Sequence, residues 1–382
     1  IKALKSLSLF YDSYGEDGGC DEGAGYWDRA AAALFESFYW IDRATCGRVR
    51  FCDDPKLKKM ANYIRYMAVT PTRFVNFADA RADVRVRPEL IYRFGDYVGE
   101  EELKSFAAGI ERERPCQWGE NTKNGMSLGR EIERLGVLKK MEEAQSEAKP
   151  EICVWLRDIE VLVARTLPVY GQGLVLAAKY GHNNESHNHN DVGSFVLYKD
   201  GQPVFIDAGV GRYTSKTFSE QRYEIWTMQS NYHNLPVING QGQKAGRSFS
   251  ARSCRFEQKD KTIFASANIE TAYSVEGLEK WERSFYLHED RAQVVIKEDF
   301  AIAKNARLEF VFMSAAQPEK TEDGILVNGA KLRCLRRDVS LETERIDLTD
   351  DLLQQSWGDR VYRTRFILDI AAGNDSVEFV IE

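Results

Sequence analysis

The sequence predicts a chain of two parts, a mainly α-helical first half and then an antiparallel β-sandwich, and three observations carry the prediction. Apolar residues recur at helical spacing through residue 165. Beyond Pro168 they gather instead into short runs rich in Val, Ile, Phe and Tyr, separated by turn residues. The length, 382 residues, exceeds that of one ordinary domain. The division expected is a helical domain at 1–165 and a sheet domain at 166–382.

In the first part, Trp27, Ala30, Ala31, Leu34, Phe35, Phe38 and Ile41 share one helix face. Leu57, Met60, Ile64 and Met67 repeat the spacing before Pro71, as do Leu103, Phe106, Ala107 and Ile110 before Pro115. Leu128, Ile132, Leu135, Leu138 and Met141 form a fourth set, and Ile152, Trp155, Leu156, Ile159 and Val163 a fifth. In the second part, strands are expected over 173–180, 193–199, 203–207, 283–288, 292–297 and 307–313, with 360–370 and 376–382 joining them. Strands of this length, bounded by turns such as Lys199-Asp200-Gly201, pack as an antiparallel sandwich.

Composition narrows the function. A net charge of −7 and a pI near 5.6 argue against nucleic acid or an anionic membrane as partner. No apolar run approaches the roughly 18 residues of a transmembrane helix. Seven cysteines without CxxC spacing lean towards a reducing, cytoplasmic compartment. The chain opens on Ile1, within a helical pattern and without Met, so an upstream signal peptide or further domain is an open expectation. A homo-oligomer is equally open.

Chemistry concentrates in Glu185–Gly193, ESHNHNDVG. Four of the five histidines, His182, His187, His189 and His233, fall between residues 182 and 233. In His187-Asn188-His189-Asn190-Asp191 the titratable residues alternate, and an extended backbone would set them on one wall. Downstream, Asp207 ends an apolar run and His233 follows Asn231-Tyr232. Two imidazoles and a carboxylate form a ligand set that suits zinc with an open fourth position. Spacing leaves the carboxylate open between Asp191 and Asp207. His288 stands alone and reads as a structural, hydrogen-bonded residue.

The stretch GHNNESHNHNDVGSFVLYKDGQPVFIDAGVGRYT, followed by RYEIWTMQSNYHNLPVING, resembles the sheet domain of the heparinase II/III-like polysaccharide lyases. The resemblance rests on an HxHxDxGSF run, an Asp-x-Gly after the next strand and a His-Asn pair, and is close over 170–245. It implies an incomplete α/α toroid, here its later portion, followed by the sandwich. It implies one zinc ion held by His189, Asp207 and His233, with His187 facing the substrate groove. Asp17-Gly18-Gly19-Cys20-Asp21-Glu22-Gly23-Ala24-Gly25-Tyr26-Trp27 resembles the segment that carries the family's catalytic tyrosine, which would make Tyr26 catalytic. Tyr213 and Arg222 are assigned to substrate binding.

Such lyases break the C4–O bond of a uronic acid in an acidic glycan by β-elimination, which needs a base for the C5 proton, an acid for the leaving oxygen and a cation for the carboxylate. A tyrosine of ordinary pKa near 10 needs about 4 kcal/mol of favourable surroundings to ionise near neutrality. Arg212, Lys216, Arg222, Lys244 and Arg247, against Glu220 and Glu224, are the cations expected to supply it and to line the groove. Tyr26 and His187 are expected to face each other across a sugar ring, on the order of 5–10 Å apart. The family's carboxylate-neutralising Asn or His precedes the tyrosine by several helices, and only 25 residues precede Tyr26, so that residue is expected upstream. Two other functions fit the same residues, a zinc hydrolase and a non-catalytic carbohydrate-binding protein.

Overall fold

The computed structural model describes residues 2–115, 128–144 and 146–382. Its helices are α1 (Lys2–Ser13), α2 (Ala31–Ala44), α3 (Pro55–Tyr66), α4 (Pro88–Val98), α5 (Glu101–Glu113), α6 (Leu128–Glu143) and α7 (Asp351–Trp357). Four of the five helical runs read from the sequence correspond to α2, α3, α5 and α6. Their ends follow local chemistry. The Asp54 side chain accepts a hydrogen bond from Leu57 N and Pro55 opens α3, while α4 opens on Pro88 and stops at Gly99 in a left-handed conformation, φ 73°. Trp27, fully buried, donates its indole N–H to Met60 O at 2.8 Å and closes the space between α2 and α3.

The fifth run is not helical. Residues 152–163 form the hairpin Cys153–Leu156 and Val161–Arg165, so strand structure begins within the stretch read as helical. The turn between them places Glu160 at φ 50°. Val161–Arg165 is buried at every position. A strand covered on both faces carries a continuous apolar run with no alternation, and over so few residues that run is indistinguishable from helix spacing.

These two strands open a five-stranded antiparallel sheet that continues through Leu174–Lys179, Phe195–Lys199 and Gln202–Phe205. One face (Val161, Val163, Val175, Ala177, Val196, Tyr198) packs on the helices, in one core with Phe35, Leu57, Phe74 and Phe106. The opposite face (Leu162, Leu174, Leu176, Phe195, Leu197) shares a second core with the two remaining large sheets. The larger of those has eight strands, built around Thr262–Asn268, Leu278–His288, Gln293–Ile302 and Gly373–Ile381; the other pairs Ser340–Asp347, Arg360–Ile370, Ala306–Ser314 and Pro236–Ile238. Among the described residues the strand pairings of these sheets are all antiparallel. The protein is thus mixed helix and antiparallel sheet. Among the described residues no helix is long and apolar enough to cross a membrane.

Candidate active site and metal centre

The site forms where a loop of the helical half, Val75–Ala82, meets the segment between the strands Leu174–Lys179 and Phe195–Lys199. Glycines permit the approach. A Cβ on Gly23 would lie 2.4 Å from Phe77 O, and one on Gly209 would lie 3.1 Å from both Ala80 O and the Asn76 amide nitrogen; both glycines have positive φ. Asn76 donates its amide to Asp207 O at 3.0 Å. The glycines around Tyr26 therefore let residues 77–80 press between the Tyr26 turn and the Asp207 turn.

The His187–Asp191 alternation does not place its groups on one wall, because the segment is not extended. His187 has φ 54°, a left-handed conformation costly for a residue with a side chain, and its ring turns towards the helical half. Asp191 turns the other way, onto Lys179 Nζ at 2.5 Å, and Lys179 also holds Glu185 at 2.9 Å. That pairing removes Asp191 as a metal ligand. His182 lies apart, its Nδ1 accepting from Asn184 N. His288, as expected, is hydrogen-bonded within the sheet, to Thr262.

His189, Asp207 and His233 converge, all buried, with one donor atom from each within 4.8 Å of the others. His189 Nδ1 and His233 Nε2 are 3.3 Å apart and Asp207 Oδ2 is 3.4 Å from His233 Nε2. Their outer atoms are already engaged. His233 Nδ1–H donates to Gln229 O at 2.9 Å, His189 Nε2–H to Asp79 Oδ1 at 3.2 Å, and Asp207 Oδ1 accepts from Gly209 N. What remains is two imidazole lone pairs and a carboxylate oxygen that makes no hydrogen bond, three acceptors facing one another with no donor between them. A cation satisfies that arrangement, and outer hydrogen bonds of this kind fix the tautomers a metal requires. In its absence a proton is favoured there. Burial works against a charge on His233, but the adjacent Asp207 outweighs it and the His233 pKa is raised.

The neighbouring segments hold this cluster rigid. Asn234 donates to Phe195 O and Ile206 O and accepts from Met313 N. Arg283, buried and paired with Glu298, donates to both Gly193 O and Asn234 O.

Beside the cluster lies a second constellation, which includes a residue that the sequence reading missed. Asp79 is fully buried, and four groups surround its carboxylate: His187 Nδ1 at 2.6 Å and Tyr213 OH at 2.9 Å on Oδ2, His189 Nε2 at 3.2 Å and Arg222 Nη2 at 2.8 Å on Oδ1. Burial alone would raise the Asp79 pKa, but the hydrogen bonds and charges of His189, Arg222 and His187 prevail and hold it well below the usual carboxylate range. Tyr213 OH in turn meets Tyr26 OH at 2.6 Å. Tyr26 and His187, 161 positions apart in sequence, are in contact, their rings tilted by 33° with centroids 4.3 Å apart. This contact is closer than expected, and no sugar ring fits between them.

The cations differ from expectation as well. Arg222 is not on the groove wall; its guanidinium points inward to Asp79, Asn188 O and Thr217 O. Arg212 is paired with Asp351 and Lys216 with Glu224 at the surface. The cavity in front of Tyr26, about 580 Å³, is lined by Tyr26, Tyr213, Arg29, Arg81 and Arg212 among others. Arg81 is held by Asp83, whereas Arg29 makes no side-chain hydrogen bond or ion pair among the described residues. Burial pushes the Tyr26 pKa up, and the Tyr213 hydrogen bond and Arg29 charge that oppose this do not prevail. Without substrate Tyr26 therefore rests as the phenol.

This helical layer on antiparallel sheets is the fold of the heparinases. The chain superposes on a mutant of heparan sulfate lyase HepC from Pedobacter heparinus with TM-score 0.73 at 14% identity, covering 99% of this chain and 55% of that one. On a crystal structure of heparinase III the TM-score is 0.71 at 16% identity, covering 99% and 56%. The chain thus spans little more than half the length of these structures. Residues 155–359 match the family described as heparinase II/III-like, C-terminal, and the protein belongs to that family. No curated protein sequence matches it.

Proposed function

We propose that this protein is a polysaccharide lyase that cleaves a uronic-acid-containing acidic glycan by β-elimination. In this reading the helices are the later part of an α/α toroid, the sheets form a β-sandwich, and His189, Asp207 and His233 hold one zinc ion. The observation that carries it is the contact of Tyr26 with His187 at the open edge of a buried carboxylate hub. His187 donates through Nδ1, which leaves Nε2 free to accept the C5 proton, and the protonated Tyr26 is placed to give its proton to the leaving oxygen. Because the two rings touch, both groups address the sugar from one side. Tyr213 contacts the substrate beside them, and Arg29 supplies positive charge for the C5 carboxylate. Arg222 serves indirectly, through Asp79.

Zinc, when bound, supplies a fixed positive charge and a cross-link between the segments carrying His189, Asp207 and His233. Each ligand is at most 1% exposed, which disfavours the hydrolase reading, since a metal that activates water for a polymer needs an accessible position. The test is a panel of uronate polysaccharides with the full-length protein, followed by the ultraviolet absorbance of the C4–C5 double bond that elimination leaves. Cleavage without that absorbance would mean hydrolysis, and binding without cleavage a carbohydrate-binding protein.

A further inference from the structure

We infer that Asp79 is a positioning residue that sets the tautomers of His187 and His189 together, and so links the metal centre to the proton-transfer pair; this deepens the lyase reading and rests on it for its catalytic part. An ionised carboxylate only accepts hydrogen bonds and has about four lone-pair sites. All four are used, by His187, Tyr213, His189 and Arg222. Both imidazoles must therefore present an N–H to Asp79. For His189 this puts the proton on Nε2 and leaves Nδ1 bare towards His233 and Asp207. For His187 it puts the proton on Nδ1 and leaves Nε2 bare.

Two histidines so close in sequence reach one carboxylate because His187 adopts its left-handed backbone, which the Asp79 contact compensates. The hub comes from the helical half and its imidazole partners from the sheet half, 108 and 110 residues away. Movement of either half would disturb both imidazoles at once. Tyr213 hangs on the same oxygen as His187 and carries Tyr26, so the phenol is positioned by the hub too.

Asp79→Asn tests this, because the amide keeps the shape but replaces one accepting oxygen with a donor. The expected result is a loss of kcat by roughly 10²–10⁴ with KM changed little, together with Zn²⁺ affinity about 10- to 100-fold weaker in competition with a chelator. A purely structural role would lower the folded fraction and leave kcat per folded molecule and the Zn²⁺ constant unchanged, and that outcome would overturn the proposal. Should the variant fail to fold, nitrogen-15 NMR of the wild-type imidazoles decides: Nδ1–H on His187 and Nε2–H on His189 support it, and the opposite tautomer on either overturns it. If the wild type yields no ultraviolet-absorbing product on any uronate, the lyase reading fails, while the tautomers and Zn²⁺ affinity still judge Asp79.

Discussion

The candidate metal cluster and the proposed proton-transfer site lie side by side, share Asp79, and are built in opposite ways. All three residues of the cluster come from the sheet half and are buried; the outer atoms of Asp207 and His233 are satisfied locally, by Gly209 N and Gln229 O, and His189 alone reaches across, to Asp79. The proton-transfer site draws Tyr26 and Asp79 from the helical half and His187 and Tyr213 from the other, and faces a cavity. The first is mainly a product of strand and turn geometry, tied to the helical half by the single bond from His189 to Asp79. The second exists only when two cores have formed and met, and it should be the more sensitive to small displacements and the less important for stability.

The sharpest way to break this contrast is substitution at the proton-transfer pair. Tyr26→Phe and His187→Ala are each expected to lower turnover by roughly 10²–10⁴, while metal content and melting temperature stay close to wild type. Loss of zinc from the His187 variant would show that the two sites are not separable as described. Next in size is the cluster itself. Asp207→Asn removes the one charged ligand, and the folded state should lose the linkage energy of a bound ion, about 4 kcal/mol at a free metal concentration a thousandfold above its Kd. Thermal melts with and without Zn²⁺ would measure it; an unchanged metal-dependent shift would refute the ligand assignment.

This division also governs what the sequence made legible. His187, His189, Asp207 and His233 could be singled out because the histidines crowd into one stretch and the motif around them resembles the family's, whereas spacing alone left Asp191 and Asp207 open. Tyr26 was legible only through the glycine-rich segment before it. Asp79, in Asn76-Phe77-Ala78-Asp79, belongs to no periodic pattern, and its partners are brought to it by the packing of the halves. The inward turn of Arg222 was hidden for the same reason, since a loop cation declares its counter-ion only in three dimensions. The misread hairpin at 153–165 failed differently. Its apolar residues share a helical spacing, and the double-sided burial of Val161–Arg165 that erases alternation was invisible. Helix α4 had Pro88 as a start and Leu90, Ile91, Phe94 and Val98 as an apolar face, so its signal was present and overlooked.

Acid should separate the sites more gently. In the metal-free protein both Asp79 and Asp207 have folded pKa values below their ordinary ones; burial opposes this, and the adjacent histidines, with Arg222 at Asp79, overcome it. Their stabilising contribution is present above the unfolded value of about 3.9 and is lost as pH falls through the lower folded values, so unfolding should ease below about pH 4. His233 acts in the other direction. Its raised pKa contributes stability that is complete below about pH 6.5 and lost as pH rises through the folded value. Urea melts in chelator across this range check both slopes; a flat profile on the alkaline side would mean that His233 is not charged in the metal-free fold. The smallest effect expected is that of Tyr213→Phe, which deletes one hydrogen bond to Asp79 and the partner of Tyr26. A loss of about tenfold in kcat, near 1.4 kcal/mol, is the scale expected for these two contacts together, and a loss as large as that of Tyr26→Phe would make Tyr213 an acid–base group in its own right.

The five-stranded sheet gives one face to the helical core and the other to the core of the larger sheets. Its consequence is genealogical. A crossover between related genes near Lys149, where helix gives way to strand, would look like a clean exchange of modules, yet it would part Val161, Val163, Val175, Ala177, Val196 and Tyr198 from the helices they fit. Those six side chains must travel with the helices, while the strands bearing them must also match the sheets on their far side. The two halves are therefore expected to be inherited as one piece, and new specificities to arise by change at the cavity rim, around Arg29, Arg81 and Arg212, rather than by shuffling.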